Sequence, residues 1–216
     1  MDRDNLYIEM YKLFKRRRAW IGPVLVFLLI IISFPLTLDI NSDNPPQIYL
    51  SFIWISTLLV TMLGTELIFS DDFEDGTLEQ YAVNDQLTEV VFYKIFVHWV
   101  LIGIPLAFVA FLFILSLNIS IQISSIALLC LIISNLIFIN FFSLGNALSL
   151  KKGSILGLLI TIPFLIPVLI VLGKMTTAAL LGLSLVGHLS LLVGVMILVA
   201  SFIPFIISFI LRTHLE

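Results

Sequence analysis

Apolar residues in this chain come in long unbroken blocks, not in alternation. Six stretches, near 20–38, 48–70, 91–117, 122–150, 153–173 and 186–211, are separated by short polar interruptions. Each can cross a bilayer as a helix, which takes about 20 apolar residues. Runs such as Val24 to Ile32 are apolar on every side, the pattern of lipid-facing helices and not of β-barrel strands, whose two faces alternate. The pattern predicts an all-α polytopic bundle of six transmembrane helices, forming one membrane domain over 1–216. The fourth and fifth stretches are the hardest to divide; Asn140, Ser143, Asn146, Ser149, Lys151, Lys152 and Gly153 mark the break, and the lysines decide it.

Composition agrees, since 60% of the residues are hydrophobic and only 12% charged, with mean hydropathy +1.17. A soluble domain of that make-up would lack the polar surface to cover its core. Basic residues set the expected orientation, because Lys and Arg near span ends stay on the cytoplasmic side. Arg3, Lys12, Lys15, Arg16, Arg17 and Arg18 precede the first span; Lys94, Lys151, Lys152 and Arg212 fall on the same side if both termini are cytoplasmic, and Lys174 falls opposite. The segment 39–47, with Asp39, Asp43, Pro45 and Pro46, then faces the other compartment. The first span runs through Phe34-Pro35-Leu36 into Asp39 without a small-residue cleavage site, so it is expected to remain as an anchor and not to be removed as a signal peptide.

Two segments outside the spans carry pattern of their own. Before the first span, Leu6, Met10, Leu13 and Phe14 recur at helical spacing beside Tyr7 and Tyr11, ahead of the Lys/Arg cluster. This reads as an interfacial helix whose cations meet anionic lipid, each contributing roughly 1 kcal/mol; a bare topology signal is the simpler reading. Between the second and third spans lies an acidic island: Asp71, Asp72, Glu74, Asp75, Glu79, Asp85 and Glu89, with no Lys or Arg among them. An anionic membrane surface repels it, which points to a protein partner. Thr77-Leu78-Glu79-Gln80 fits a capping box, with the Thr77 hydroxyl and the Gln80 side chain capping each other's backbone. A short cytoplasmic helix is expected there, turned in by Gly76 and bearing Phe73, Thr77 and Tyr81 at intervals of four. A solvated loop is the plainer alternative.

Ionisable groups inside spans are costly and are functional candidates by default. Glu66 is placed one turn inside the second span, and Lys94 and His98 share a face at the start of the third, so either is expected to pair with Glu66 if the spans are neighbours. His98-Trp99 is read alternatively as a boundary anchor, and His188 as an isolated polar residue. Asn135, Asn140 and Asn146 with Ser134 and Ser143 suggest hydrogen bonds between helices. Gly153 and Gly157 suggest close packing, and Gly103, Pro105, Pro163 and Pro167 are expected to bend their spans.

Several chemistries have no motif here. There is no Walker A loop, no His-Glu-x-x-His and no Gly-x-Ser-x-Gly, and Cys130 is alone. No catalytic or metal-ligating residue is assigned, an enzyme is not expected, and neither is a nucleic-acid partner. Six spans are few for enclosing a large pathway, so two copies or a hetero-oligomer are expected.

Read in order, Phe34-Pro35-Leu36, Glu66, Phe69, Asp72, Asp75-Gly76, Leu78-Glu79-Gln80, Lys94, His98-Trp99, Gly103 and Pro105-Leu106 resemble the haem exporter B family of the cytochrome c maturation system. Gly145, Ala147-Leu148, Leu150, Gly153, Leu156, Pro163 and Ile166-Pro167 extend the resemblance over nearly the whole chain. Tyr81 and Asn84-Asp85 depart from the family's pattern, where Leu and Leu-Pro are usual. The resemblance implies an ABC-2-like permease subunit of a bacterial inner membrane. It implies a separate ATPase subunit that binds ATP and Mg, a haem-handling membrane subunit, a small membrane subunit and a periplasmic haem chaperone. Haem would be cargo or a partner's ligand, and the work would be its export or the loading and release of the chaperone. On this reading Asp72, Phe73, Asp75, Gly76, Thr77, Leu78, Glu79, Gln80 and Tyr81 form the ATPase-coupling segment, and Glu66, Lys94, His98 and Trp99 are the intramembrane polar candidates. A permease for lipid or polysaccharide, and a non-transporting scaffold, are the rival readings.

Overall fold

The computed structural model describes residues 3–37, 46–150 and 154–215. Asp39, Asp43, Pro45, Lys151, Lys152 and Gly153 lie outside the described residues. Among those described every regular element is helical: α1 (Arg3–Lys15), α2 (Arg17–Thr37), α3 (Pro46–Gly64), α4 (Ser70–Glu74), α5 (Thr77–Val83), α6 (Leu87–His98), α7 (Ile104–Ser116), α8 (Ile121–Ser149), α9 (Ser154–Leu180) and α10 (Val186–Leu215). Six spans result, with α6 and α7 together forming the third, from Leu87 to Ser116. The multi-pass reading and the all-α class hold. The spans shift at their ends: the fifth runs on to Leu180 and the sixth to Leu215.

The larger correction is the second span, expected to reach residue 70, which stops at Gly64 and gives way to turns over 65–69. The cause sits in α8. Asn146 Nδ2 donates to the Glu66 carbonyl, and Asn146 Oδ1 accepts the Phe69 amide N–H at 3.3 Å. One side chain thus satisfies two backbone groups freed where the helix breaks, groups that hydrocarbon could not satisfy. Phe69 is fully buried and anchors the end of the turn. Glu66 therefore lies on an irregular turn and not one turn inside a helix.

The disturbance expected from Gly103 and Pro105 takes the form of a change in helical register. Trp99–Gly103 is a π-helical turn between α6 and α7. Pro105 has no amide to donate, so the preceding turn cannot close normally. Asn135 Nδ2 donates to the Gly103 carbonyl at 2.7 Å. A Cβ at Gly103 would meet Trp99 Cδ1 at 3.0 Å and Asn135 Cβ at 3.2 Å, so glycine is what lets α8 approach. Pro163 and Pro167 are carried inside an unbroken α9.

Helix α8 is the hub, packing against α9, α10, α7 and α3. Its Ile137, Phe138, Ile139, Phe142 and Ala147 are fully buried. A Cβ at Gly157 of α9 would overlap the carbonyl oxygen of Gly145, so the two backbones touch. Small residues at such a seam give van der Waals contact, the main attraction between helices in lipid. Trp54 of α3 donates to Thr176 Oγ1 of α9 at 2.9 Å, and Thr88 and Ser208 join α6 to α10 at 2.7 Å.

Candidate functional site

Helix α1 is apolar outside and charged inside. Tyr7, Met10, Tyr11 and Phe14 are exposed along one stripe, while Glu9 and Leu13 are buried against the bundle. Leu13 thus faces inward, away from the apolar face to which its spacing assigned it. The outer stripe suits a helix lying in a headgroup layer. Its C-terminus is pinned to α2 by Trp20, whose ring stacks on Phe14 with centroids 5.7 Å apart and whose Nε1 donates to the Phe14 carbonyl.

Beneath α1 lies a buried charge cluster. Lys94 of α6 pairs with Glu9 of α1 at 3.0 Å and with Asp72 of α4. Lys12 of α1 bridges the same two carboxylates, 3.6 Å from Glu9 and 3.5 Å from Asp72. Two cations thus face two anions, the balance a buried cluster needs to offset desolvation. Burial by itself would lower the pKa of Lys12, but the carboxylates of Glu9 and Asp72 outweigh it and raise the pKa above 10.5. Arg16 pairs with Asp71 at the edge. The pairing foreseen for Lys94 with Glu66 is replaced by pairing with Glu9 and Asp72, and Glu9 is the residue that sequence reasoning missed. Its only sequence trace is an acid set inside an apolar stripe.

The acidic island is therefore two-sided. Asp72 faces in, at 4% exposure, and Leu78 is fully buried; Phe73 and Tyr81 are half-buried on the core. Burial raises the Tyr81 pKa. Asp75, Glu79, Gln80 and Val83 are exposed and, with Gly76 and Asn84, border a shallow hollow. The capping box of Thr77 and Gln80 does not form. Gly76 is the N-cap, at φ 76°, and neither partner of that box caps the helix. Thr77 already holds the first helical position, and its amide N–H donates to Asp75 Oδ1 at 2.9 Å. That bond to Thr77 holds the Asp75 carboxyl below its usual range. Beyond α5, Asp85 pairs with Arg212, tying the loop to α10.

A cavity of about 750 Å³ adjoins the cluster. His98 lies on its wall with Glu66, and Lys94 and Asp72 reach it from the cluster side. His98 Nδ1 donates to the Lys94 carbonyl at 2.7 Å, so in the neutral ring Nε2 holds the lone pair. Trp99 points the other way, into the bundle, where Nε1 donates to the Ile132 carbonyl of α8 at 3.0 Å. It joins two helices and does not serve as a boundary anchor. Among the described residues no group of acids, histidines and cysteine is placed to hold a metal ion.

Helices α4 and α5 form a short outward element, which Asp72 roots in Lys12 of α1 and Lys94 of α6. Comparison with known proteins agrees with a transport subunit. The profile of the family described as CcmB protein matches residues 5–214. Heme exporter protein B of Pseudomonas aeruginosa is 32% identical over 203 residues, 93% of this chain and 91% of that protein. The Heme exporter protein B of Haemophilus influenzae is 31% identical over 211 residues, 96% of each chain. That of Escherichia coli K12 is 28% identical over 212 residues, 97% of this chain and 96% of that protein. A match of this extent, over all six spans and the acidic island, shows that the chain belongs to the CcmB protein family.

Proposed function

We propose that this chain is the membrane permease component of a haem-export system, driven by a separate ATPase subunit that grips the α4–α5 segment. The observation that carries the reading is the division of the acidic island. Asp75 and Glu79 stand exposed beside the hollow, while Asp72 roots the same segment in a buried ion cluster. A partner with basic residues gains charge complementarity at the outer face. Movement of that face passes to α6 and α1 through Asp72, Lys94 and Glu9. The ATPase must bind two states of the segment unequally for ATP to drive the change. On this reading both termini and the α4–α5 segment face the cytoplasm of a bacterial inner membrane, two copies of the chain pair, and a haem-handling subunit, a small subunit and a periplasmic haem chaperone complete the system.

The test is co-purification of the ATPase subunit with a charge-reversed permease. Asp75→Lys with Glu79→Lys is expected to abolish it while membrane insertion stays as in the wild type and thermal stability falls only by the small contribution of the Asp75–Thr77 bond. Undiminished co-purification overturns the reading. A second arm uses an ATPase-dead partner: c-type cytochromes should be lost, and their normal accumulation would favour a non-transporting scaffold.

A further inference from the structure

The cavity holds more cationic than acidic side chains, and of its acids Glu9, Asp71 and Asp72 are in the ion pairs already described while Glu66 stands on the wall beside His98. Glu9 and Asp72 face Lys12 and Lys94, and Asp71 faces Arg16. Lys15, Arg17 and Arg18 line the same cavity, are exposed, and have no carboxylate partner among the described residues. They sit at the α1–α2 corner, where α1 ends at Lys15 and α2 begins at Arg17. The same cavity has an apolar part, made by Pro23 and Val26 of α2, Leu63 of α3, and Leu67 on the turn that Asn146 holds, with Glu66 beside it. Leu63 and Leu67 are 47% and 60% exposed, so the apolar wall continues onto the outer surface of the spans. The outer stripe of α1 places the rim at the depth where headgroups lie.

We propose that this cavity is a binding site for an anionic amphiphile, with its acidic head on Lys15, Arg17 and Arg18 and its apolar body along Val26, Leu63 and Leu67. The volume is in the range of small-ligand sites, which run from about 300 to 1,000 Å³. A cationic rim over an apolar wall selects a ligand with the same division. Two sources share that chemistry: an acidic phospholipid, through its phosphate, and haem, through its propionates. His98 separates them. Nε2 has no protein partner among the described residues, and an imidazole nitrogen can ligate haem iron but gives an acyl chain nothing. The site itself stands apart from the proposed function; only the haem source rests on it.

The experiment uses the full chain in phosphatidylcholine nanodiscs, with phosphatidylglycerol and ferric haem as separate probes. Native mass spectrometry reads retained lipid, and the Soret band reads haem. At least one probe is expected to bind at one per chain, to be displaced by salt and not by phosphatidylcholine. Arg17→Gln with Arg18→Gln should weaken it roughly thirty-fold, from about one contact energy per cation, and Arg17→Lys with Arg18→Lys should retain it. His98→Ala assigns the source: loss of the Soret shift with lipid retention intact marks haem at this site, and retention of lipid alone in both proteins marks the phospholipid. Binding that ignores salt, or that the glutamine variant keeps in full, overturns the proposal, as does failure of both probes to bind the wild type. Should the glutamine variant not fold, salt and phosphatidylcholine competition on the wild type decide alone. Failure here leaves the ATPase co-purification test untouched, so the two readings fall separately.

Discussion

The α8 seam and the charged junction hold the same chain together by opposite means. At the seam, Gly145 and Gly157 bring two backbones into contact, and Asn135 and Asn146 spend their amides on backbone groups of other segments. Nothing there can move without opening a gap or orphaning a polar group in a medium that cannot solvate it. At the junction, Glu9, Lys12, Asp72 and Lys94 share charge, each cation pairing with both carboxylates. Ionic contacts of that kind tolerate small displacements and can exchange partners. The lesson is that close backbone packing holds the seam, whereas charge holds the junction where α1, α4 and α6 meet.

The largest effect is expected from the seam. Gly157→Leu forces a side chain onto the Gly145 carbonyl, and backbone cannot yield as a flexible side chain does. Overpacking of this kind costs more than ~3 kcal/mol, and size-exclusion of detergent-extracted protein should show loss of the monodisperse peak. Next comes the junction. Lys94→Met leaves Glu9 and Asp72 buried with only Lys12 between them, a loss of about 3–5 kcal/mol for breaking a buried pair. Adding Glu9→Gln should recover part of the lost melting temperature, since it removes the surplus charge. No recovery would mean that the cluster acts by packing and not by charge.

Asn146→Leu tests whether one side chain holds the turn over 65–69. It should cost about 1–3 kcal/mol, the penalty for leaving the Glu66 carbonyl and Phe69 amide unpaired. Hydrogen exchange should rise in 65–69 and not in α9. A smaller effect belongs to Asp75. Its folded pKa is depressed from 3.8 by the Thr77 bond, so its stabilisation is complete above that value and is lost as pH falls through the folded pKa. Asp75→Ala should abolish that acid-side loss and cost about 0.5 kcal/mol at neutral pH, the low end for a lost cap. The smallest and most alkaline change comes from Lys12 and Tyr81, whose pKa values are raised from 10.5 and 10.0. Both hold their protons more tightly when folded. Their contribution is present below those values and fades as pH climbs through the folded ones, which thermal melts above neutrality would register.

Much of the bundle was readable in advance because lipid leaves so few solutions. A run such as Val24 to Ile32 can only be a spanning helix, and Asn135 and Asn146 in an apolar segment could only be seeking partners. The premature end of α3 was not readable. Nothing near Gly64 breaks a helix outright, and the group that captures the next turn is Asn146, far along the chain. The Thr77–Gln80 capping box failed for a local reason: Gly76 in the left-handed region took the N-cap and moved the helix start by one residue, leaving the Thr77 amide N–H to Asp75 Oδ1. Glu9 escaped notice because its role depends on which side of α1 meets the bundle.

By itself the sequence determined the medium, the six spans, the amphipathic start and the presence of an acidic island, since each is a local property of length, hydropathy or charge. Only the tertiary structure decided that Asp72 turns inward to Lys94 while Asp75 and Glu79 turn out, and that His98, Glu66 and the basic corner share one cavity. Local pattern encodes how a segment meets its solvent. It does not encode which distant segment meets it, and the pairings of Glu9, Asp72 and Lys94 join three helices that only the packed bundle brings together.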